Sequence, residues 1–305
     1  MRLSIIANPI SGGGRAFKRI KRLVKAWPYA GWEVELYPTR CAEHAGVLAR
    51  ELLDRPPDLL AVCGGDGTLS DVASSVPEPP FPVALIPAGT ANVLARELGL
   101  PLDPIQSLEI ALKRVVKHVD LGVLQGRKLQ RFLLMAGIGF DAYVVSRIRP
   151  KKRRLGLAAY YLATVRALLS YHFPEFRVVA QEEVLAATSC LVANARNYGG
   201  GLVFTPSADM RDGILDVLIL QGKPRISHFR LLLSAWRGKP RIDSCIQYRR
   251  LKSLRIEGPR GVWVQADGEL VGTLPLEVTL SQASYPLVVP QGPFPPVRPR
   301  APYML

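Results

Sequence analysis

The chain has 305 residues, of which 48% are hydrophobic and 21% charged. That is a globular composition with apolar material for one large domain or two of ordinary size, and it excludes wholesale disorder, a collagen-like repeat and a disulfide scaffold. Forty Lys and Arg against 25 Asp and Glu leave a formal charge of +15, a field that favours anionic partners such as nucleic acid, an acidic membrane surface or phosphate ligands.

Over the first 120 residues the predicted elements alternate strand and helix. Leu3–Ala7 is a strand-sized apolar run, followed by the turn Asn8-Pro9-Ile10-Ser11-Gly12-Gly13-Gly14. Phe17, Ile20, Val24 and Trp27 recur at three- and four-residue steps, a helix stopped by Pro28. Trp32–Tyr37 reads as a second strand and Glu43–Leu53 as a helix ended by Pro56-Pro57. Leu59–Cys63 is a third strand, running into Gly64-Gly65-Asp66-Gly67-Thr68 and a short helix. Val83–Ile86 is a fourth, followed by Pro87-Ala88-Gly89-Thr90 and a helix over Ala91–Leu98. This rhythm predicts a parallel sheet covered by helices.

Beyond residue 120 strands follow one another: Val119–Leu124, Arg131–Ala136, Phe176–Val179, Thr188–Ala193, Ile214–Leu220, Tyr248–Ile256, Val262–Gln265 and Leu276–Leu280. Helices near Leu155–Tyr171 and Ser227–Trp236 interrupt them. The pattern predicts an antiparallel sandwich or barrel-like second domain over 123–282, with the first domain over 1–122 and the boundary near Asp120-Leu121-Gly122. The tail Pro290–Leu305 is proline-rich and is expected to be extended or loose. The longest apolar runs, Phe132–Phe140 and Leu155–Val165, fall short of the roughly 20 residues that span a bilayer. The N-terminus lacks the order of a signal peptide, so the expected location is cytoplasmic. Cys41, Cys63, Cys190 and Cys245 and the four histidines are scattered without zinc spacing, and Cys63 and Cys190 read as small buried apolar residues.

Three turns after predicted strands share one chemistry: Asn8–Gly14, Gly64–Thr68 and Pro87–Asn92. Ligands of an open parallel sheet bind at the carboxyl ends of its strands, where glycine lets backbone approach and helix-start amides face phosphate. Each turn alone could be a tight connection; the three together favour a polyphosphate cradle. The usual nucleotide signatures fail, for there is no GxxxxGK[ST]. Gly137-Ile138-Gly139-Phe140-Asp141-Ala142 fits GxGxxA but lacks the acidic residue about 20 positions on, and reads as accidental. Asp66 could hold Mg2+, accept a proton or cap a helix.

The ordered set Asn8-Pro9-x-Ser11-Gly12-x-Gly14, Gly64-Gly65-Asp66-Gly67-Thr68-Leu69 and Pro87-x-Gly89-Thr90-x-Asn92 resembles the diacylglycerol-kinase-like lipid kinases, closest to their soluble bacterial members. The resemblance continues through Gly137-x-Gly139-Phe140-Asp141-Ala142, Asn194, Tyr198-Gly199-Gly200-Gly201, Pro206, Ala208 and Asp212-Gly213 to Asp267-Gly268-Glu269. It implies a nucleotide-binding α/β domain and a β-sandwich domain with the active site in the cleft between them, the chain end (283–305, through Tyr285–Val289) returning to the first. It implies that Asn8, Pro9, Ser11, Gly12, Thr39, Gly64, Gly65, Gly67, Thr68, Asp71, Gly89, Thr90 and Asn92 bind ATP. Asp66 would organise Mg2+, supported by Asp120, and Asp267 and Glu269 would bring the general base to a lipid hydroxyl. Asp209, Asp212 and the Ile214 carbonyl match a separate structural Mg2+ site. A homodimer is compatible with the family.

Two departures stand out. The family's Asn and Glu after GGDGT-Leu are Ser70 and Asp71 here, and its Asn-Asp in the third loop is Asn92-Val93, one carboxylate fewer. They keep open a non-catalytic lipid- or nucleotide-binding protein. GGDGT is also shared with NAD kinases, so a soluble-metabolite kinase is a further alternative. Asp267-Gly268-Glu269 could be a plain hairpin turn, and Asp209–Gly213 a solvated one. Arg147-Ile148-Arg149-Pro150-Lys151-Lys152-Arg153-Arg154, directly before Leu155–Val165, could rest on an anionic membrane surface where a lipid acceptor resides, or be a solvated charge run. Nucleic-acid binding is the weaker option, without an aromatic-interleaved strand motif or zinc finger.

Overall fold

The computed structural model describes residues 1–148, 162–222, 224–238, 240, 242 and 244–292. The chain divides into two compact units, one of Met1–Val119 with Ala283–Pro295, the other built on Asp120–Gln282.

The first unit holds six strands in the order β2-β1-β3-β4-β18-β5. These are β1 (Arg2–Ala7), β2 (Glu33–Pro38), β3 (Leu59–Gly64), β4 (Val83–Pro87), β5 (Val116–Val119) and β18 (Tyr285–Val288). The pairs β1–β2, β1–β3, β3–β4 and β4–β18 are parallel, and β5 closes the edge antiparallel to β18. Strands β3 and β4 are buried at every residue, as expected of parallel strands covered on both faces. The helices are α1 (Arg15–Lys25), α2 (His44–Glu51), α3 (Asp66–Ser75), α4 (Val93–Glu97) and α5 (Pro104–Leu112). Helix α1 ends before Pro28, as predicted. Helix α5 was not expected from periodicity, although Asp103 caps it through Ile105 and Gln106 and Pro104 fills its first position.

The second unit holds two antiparallel six-stranded sheets around one core. The first runs β10-β9-β14-β17-β6-β7, formed by β6 (Gly122–Gln125), β7 (Leu129–Phe132), β9 (Phe176–Ala180), β10 (Glu183–Ala187), β14 (Ser253–Glu257) and β17 (Leu276–Leu280). The second runs β13-β12-β11-β8-β15-β16, formed by β8 (Met135–Gly139), β11 (Ser189–Ala193), β12 (Leu215–Leu220), β13 (Ile246–Leu251), β15 (Trp263–Ala266) and β16 (Glu269–Thr273). Phe132, Phe176, Val178 and Ile256 from one sheet meet Ile138, Val192, Val217 and Val264 from the other, a β-sandwich core. Helices α6 (Phe140–Ile148), α7 (162–170) and α8 (Pro224–Trp236) accompany it, with an aromatic cluster of Phe140, Tyr171 and Phe173 against α6 and α7.

Three single strands of the sequence reading are each two in the structure. Val119–Leu124 breaks at Asp120, whose backbone N–H bonds Met210 and whose carboxylate accepts from Gly213. Arg131–Ala136 breaks at Leu133 and Leu134, whose N–H groups turn to the Asp267 carboxylate. Tyr248–Ile256 breaks at Lys252, and its halves, β13 and β14, join different sheets. No helix of the described residues is long and apolar enough to cross a membrane. Arg149–Arg154 of the basic cluster, 155–161 of the apolar segment and 293–305 of the tail lie outside the described residues.

Candidate active site

In the first unit the three glycine-rich turns leave the carboxyl ends of β1, β3 and β4, and backbone bonds tie each to the next. The Asn8 N–H donates to the Cys63 carbonyl and the Ala88 N–H to the Gly64 carbonyl, each at 2.8 Å. Asn8 Nδ2 reaches Thr68 Oγ1 at 3.4 Å, while its Oδ1 accepts from Ile10 N–H at 3.1 Å. Gly12 lies at φ 54°, and a Cβ there would sit 2.3 Å from the Ala88 carbonyl oxygen. A Cβ on Gly89 would sit 2.6 Å from the Gly65 Cα. The turns therefore meet more closely than side chains permit, which leaves backbone as the surface they present. Asn92, at φ 46°, folds its amide back to accept from Gly89 N–H at 2.8 Å and donate to the Gly89 carbonyl at 3.0 Å. Thr39 joins the same edge, its N–H donating to the Ala7 carbonyl at 2.8 Å. Asn8, Pro9, Ser11, Gly12, Thr39, Gly64, Gly65, Gly67, Thr68, Gly89, Thr90 and Asn92 thus gather at one sheet edge. Close-packed glycine turns with neutral hydroxyls and amides, ahead of the first turn of α3, fit a phosphate chain.

The two carboxylates of this edge are tied to helix starts. Asp66 accepts from the N–H groups of Val93 and Leu94, each at 3.0 Å. It heads α3 in sequence yet caps α4, binding the second turn to the third. Asp71 accepts from Gly46 N–H at 3.1 Å in the first turn of α2, and burial pushes its carboxyl pKa up. The Asp71 carboxylate is therefore turned to α2. Mg2+ takes one or two carboxylates and completes its shell with water and phosphate. Each Asp66 oxygen accepts a backbone N–H, and a carboxylate oxygen has a further lone pair to offer such an ion. Among the described residues no group of three or more His, Cys, Asp or Glu could hold a metal by themselves.

In the second unit Asp267 and Gly268 form the two-residue turn between β15 and β16, both at positive φ (47° and 86°), the geometry that Asp-Gly favours in a tight hairpin. The hairpin reading holds, and the turn does more. One oxygen of Asp267 accepts from Leu133 N–H at 2.8 Å; the other accepts from Leu134 and Met135 at 2.9 and 3.0 Å. Glu269, the next acid, is exposed at the start of β16.

A partly buried polar chain runs behind this turn. The Gly268 N–H donates to Gln265 Oε1 at 2.7 Å, Gln265 Nε2 donates to Asp141 Oδ2 at 2.6 Å, and the Tyr198 hydroxyl donates to Asp141 Oδ1. Asp141 is partly buried, and desolvation raises its pKa against the lowering effect of those two donors. Gly137 lies directly opposite Gln265 in the ladder, and a Cβ there would fall 1.9 Å from Asp141 Oδ2. Gly137 and Asp141 of the apparent dinucleotide match thus serve a polar link between the hairpin and the Tyr198–Gly201 turn. Asn194 extends the framework by donating to the carbonyls of Asp120 and Leu133 at 2.8 and 2.9 Å. Gln265 escaped the sequence reading; its one signal was a polar residue inside an alternating strand, where it is 1% exposed.

Asp120 accepts from Gly213 N–H at 2.8 Å, and burial raises its pKa. Asp209 pairs with Arg211 through bonds of 2.8 Å, which lowers its pKa, while Asp212 pairs with Arg250 and accepts from Ile214 N–H at 3.1 Å. The described structure therefore gives Asp209 and Asp212 arginine partners.

The family model for the diacylglycerol kinase catalytic domain matches residues 2–124, and that for the YegS C-terminal NAD kinase beta sandwich-like domain matches residues 135–291. The chain is 30% identical over 296 residues to a diacylglycerol kinase of Mycobacterium tuberculosis, covering 95% of this chain and 96% of that one. It is 30% identical over 285 residues to a diacylglycerol kinase of Bacillus subtilis, covering 90% and 92%. A crystal structure of a Bacillus anthracis protein shares the fold with a TM-score of 0.77 and 26% identity, covering 95% of this chain and 97% of that one.

Proposed function

The chain belongs to the diacylglycerol-kinase-like family of lipid kinases, and from that premise we propose that it transfers the γ-phosphoryl group of ATP, with Mg2+, to the hydroxyl of a diacylglycerol-like lipid at a membrane surface. The observation that carries this reading is the close approach of three glycine turns at one sheet edge, where Gly12 meets Ala88 and Gly65 meets Gly89. The names of the relatives support the lipid acceptor.

In this reading the turns hold the triphosphate by backbone N–H groups, helped by Ser11, Thr68 and Thr90. Mg2+, when bound beside Asp66, supplies positive charge against the phosphates. Phosphoryl transfer rests mainly on position and electrostatics, which a cradle of fixed backbone dipoles provides. Asp66 keeps the second and third turns in register through its bonds to Val93 and Leu94. The hydrogen bonds divide the two acids of the second unit. Asp267, bound to three backbone amides, fixes the hairpin turn, and the exposed Glu269 is the carboxylate carried on that turn to take the acceptor proton.

Equilibrium binding of ATP tests the cradle. The wild-type protein is expected to bind ATP saturably, and Gly12→Val, which drives a side chain into the Ala88 carbonyl, to lose that binding. Equal affinity in a folded Gly12→Val protein would remove the nucleotide site from these turns.

A further inference from the structure

Two stretches of the second unit carry an unusual charge pattern. Helices α7 (162–170) and α8 (Pro224–Trp236) carry Arg166, Arg225 and Arg230 and no Asp or Glu, with Arg237 directly after α8. They are distant in sequence, yet the structure joins them: Arg225 Nε, on α8, donates to the Leu168 carbonyl of α7 at 3.0 Å, and the Arg225 guanidinium lies over the Phe173 ring.

Both helices also leave an apolar face uncovered. On α8 the buried side is Ser227, His228, Leu231 and Ala235. His228 bonds the Pro224 carbonyl at 2.7 Å and packs edge-on against Phe140. The opposite side carries Ile226, Phe229, Leu233 and Trp236, with Phe229 60% and Trp236 49% exposed. Their spacing of three, four and three residues puts them on one face. On α7, Ala167 packs inward, while Leu162, Val165 and Leu169 repeat the pattern outward, Leu169 being 74% exposed. Arg166, Arg230 and Arg237 are exposed beside these faces.

Large apolar side chains, one of them tryptophan, among arginines and without an acid suit one environment: the interface of an anionic bilayer, where rings and aliphatic chains enter the headgroup layer and guanidinium groups meet lipid phosphates. A protein-facing patch would ordinarily carry both charge signs. We propose that the outer faces of α7 and α8 form the surface by which this protein docks on anionic membranes. The proposal rests on the lipid-kinase reading for its purpose but on exposure and charge for its location.

Vesicle sedimentation tests it with the full chain, using phosphatidylcholine alone and an equimolar mixture with phosphatidylglycerol. The wild-type protein is expected to sediment with the anionic vesicles, and less with added salt. The double variant Phe229→Ser with Trp236→Ser is expected to lower the partition coefficient by on the order of tenfold or more, since two large apolar side chains leave the interface. Arg230→Gln and Arg237→Gln are expected to lower it about fivefold each on anionic vesicles only. All four positions are exposed, so thermal melting should stay unchanged. Wild-type binding by the Phe229→Ser, Trp236→Ser protein would overturn the proposal. So would a wild-type dimer in analytical ultracentrifugation that this variant converts to monomer with vesicle binding intact, since a second copy then covers the face. Retention on DNA as tight as on vesicles and unaffected by the two serines would assign the charge to nucleic acid and also overturn it. A short-chain diacylglycerol in solution separates this idea from the kinase reading. Phosphate transfer to it without vesicle binding sinks the docking face alone; vesicle binding without transfer to any lipid sinks the kinase reading alone.

Discussion

Asp66→Asn tests how the nucleotide edge is built. In the wild type both carboxylate oxygens accept backbone N–H groups, from Val93 and Leu94, at 3.0 Å. Bonds to a charged acceptor contribute roughly 1.5–3 kcal/mol each. Asparagine offers one oxygen and turns its NH2 toward the other N–H, so one bond survives as a neutral bond and one amide loses its acceptor. The expected cost is about 3 kcal/mol. Helix α4 has five residues, too few to hold its own first turn without such a cap. At roughly 3–4 °C per kcal/mol for a unit of this size, the transition of the first unit should move down by about 10 °C. Thermal and urea unfolding of wild type, Asp66→Asn and Asp66→Ala measure this. A midpoint for Asp66→Asn within about 1 °C of wild type would refute the capping role. The same proteins, assayed while still folded, separate the cap from the metal. Full phosphate transfer by folded Asp66→Asn would remove Asp66 from Mg2+ and leave it a structural tie.

Three further outcomes follow from the second unit. Asp267→Asn should lower stability by about 3 kcal/mol in urea unfolding, because three backbone amides share its carboxylate; a neutral effect would contradict that anchoring. Gly137→Ala should break the Tyr198–Asp141–Gln265 chain, since its Cβ overlaps Asp141, and hydrogen exchange should show the Gly268 amide unprotected; unchanged protection would contradict the link. Burial holds the His228 pKa down to about 4, from an unfolded value of 6.5. The unfolded chain therefore binds the extra proton as pH falls through that window, and stability is lost there, by about 3 kcal/mol at its lower end. His228→Leu should remove that part of the acid sensitivity, read as the difference between its urea midpoints and those of wild type across the window; parallel profiles would refute it.

Strands β1, β3 and β4 were legible because a parallel strand covered on both faces is a continuous apolar run. One predicted strand of the second unit, Arg131–Ala136, failed where a side chain far away in sequence captured the ladder. Asp267 takes the N–H groups of Leu133 and Leu134 from more than 130 residues away, and no local pattern foretells that. Helix α5 is the opposite case, since its signal, Asp103 before Pro104, stood in the sequence without an apolar period strong enough to call on it. Asp66 shows the same limit at the site. Local chemistry suggested a cap for its own helix, whereas tertiary packing gave it to α4. The glycine turns were legible as a set, because each follows a strand of one sheet. Their mutual contact, Gly12 on Ala88 and Gly65 on Gly89, needed the fold.

Transfer of label from γ-labelled ATP, with Mg2+, into a panel of lipids in mixed micelles tests the proposed reaction most directly, run with wild type beside Glu269→Gln. Label should enter one glycerolipid and fall by at least about a hundredfold in Glu269→Gln, the lower range for loss of a general base, while its melting and ATP binding stay at wild-type values. Label in no lipid from a protein that binds ATP, or undiminished transfer by Glu269→Gln, would contradict the proposed chemistry.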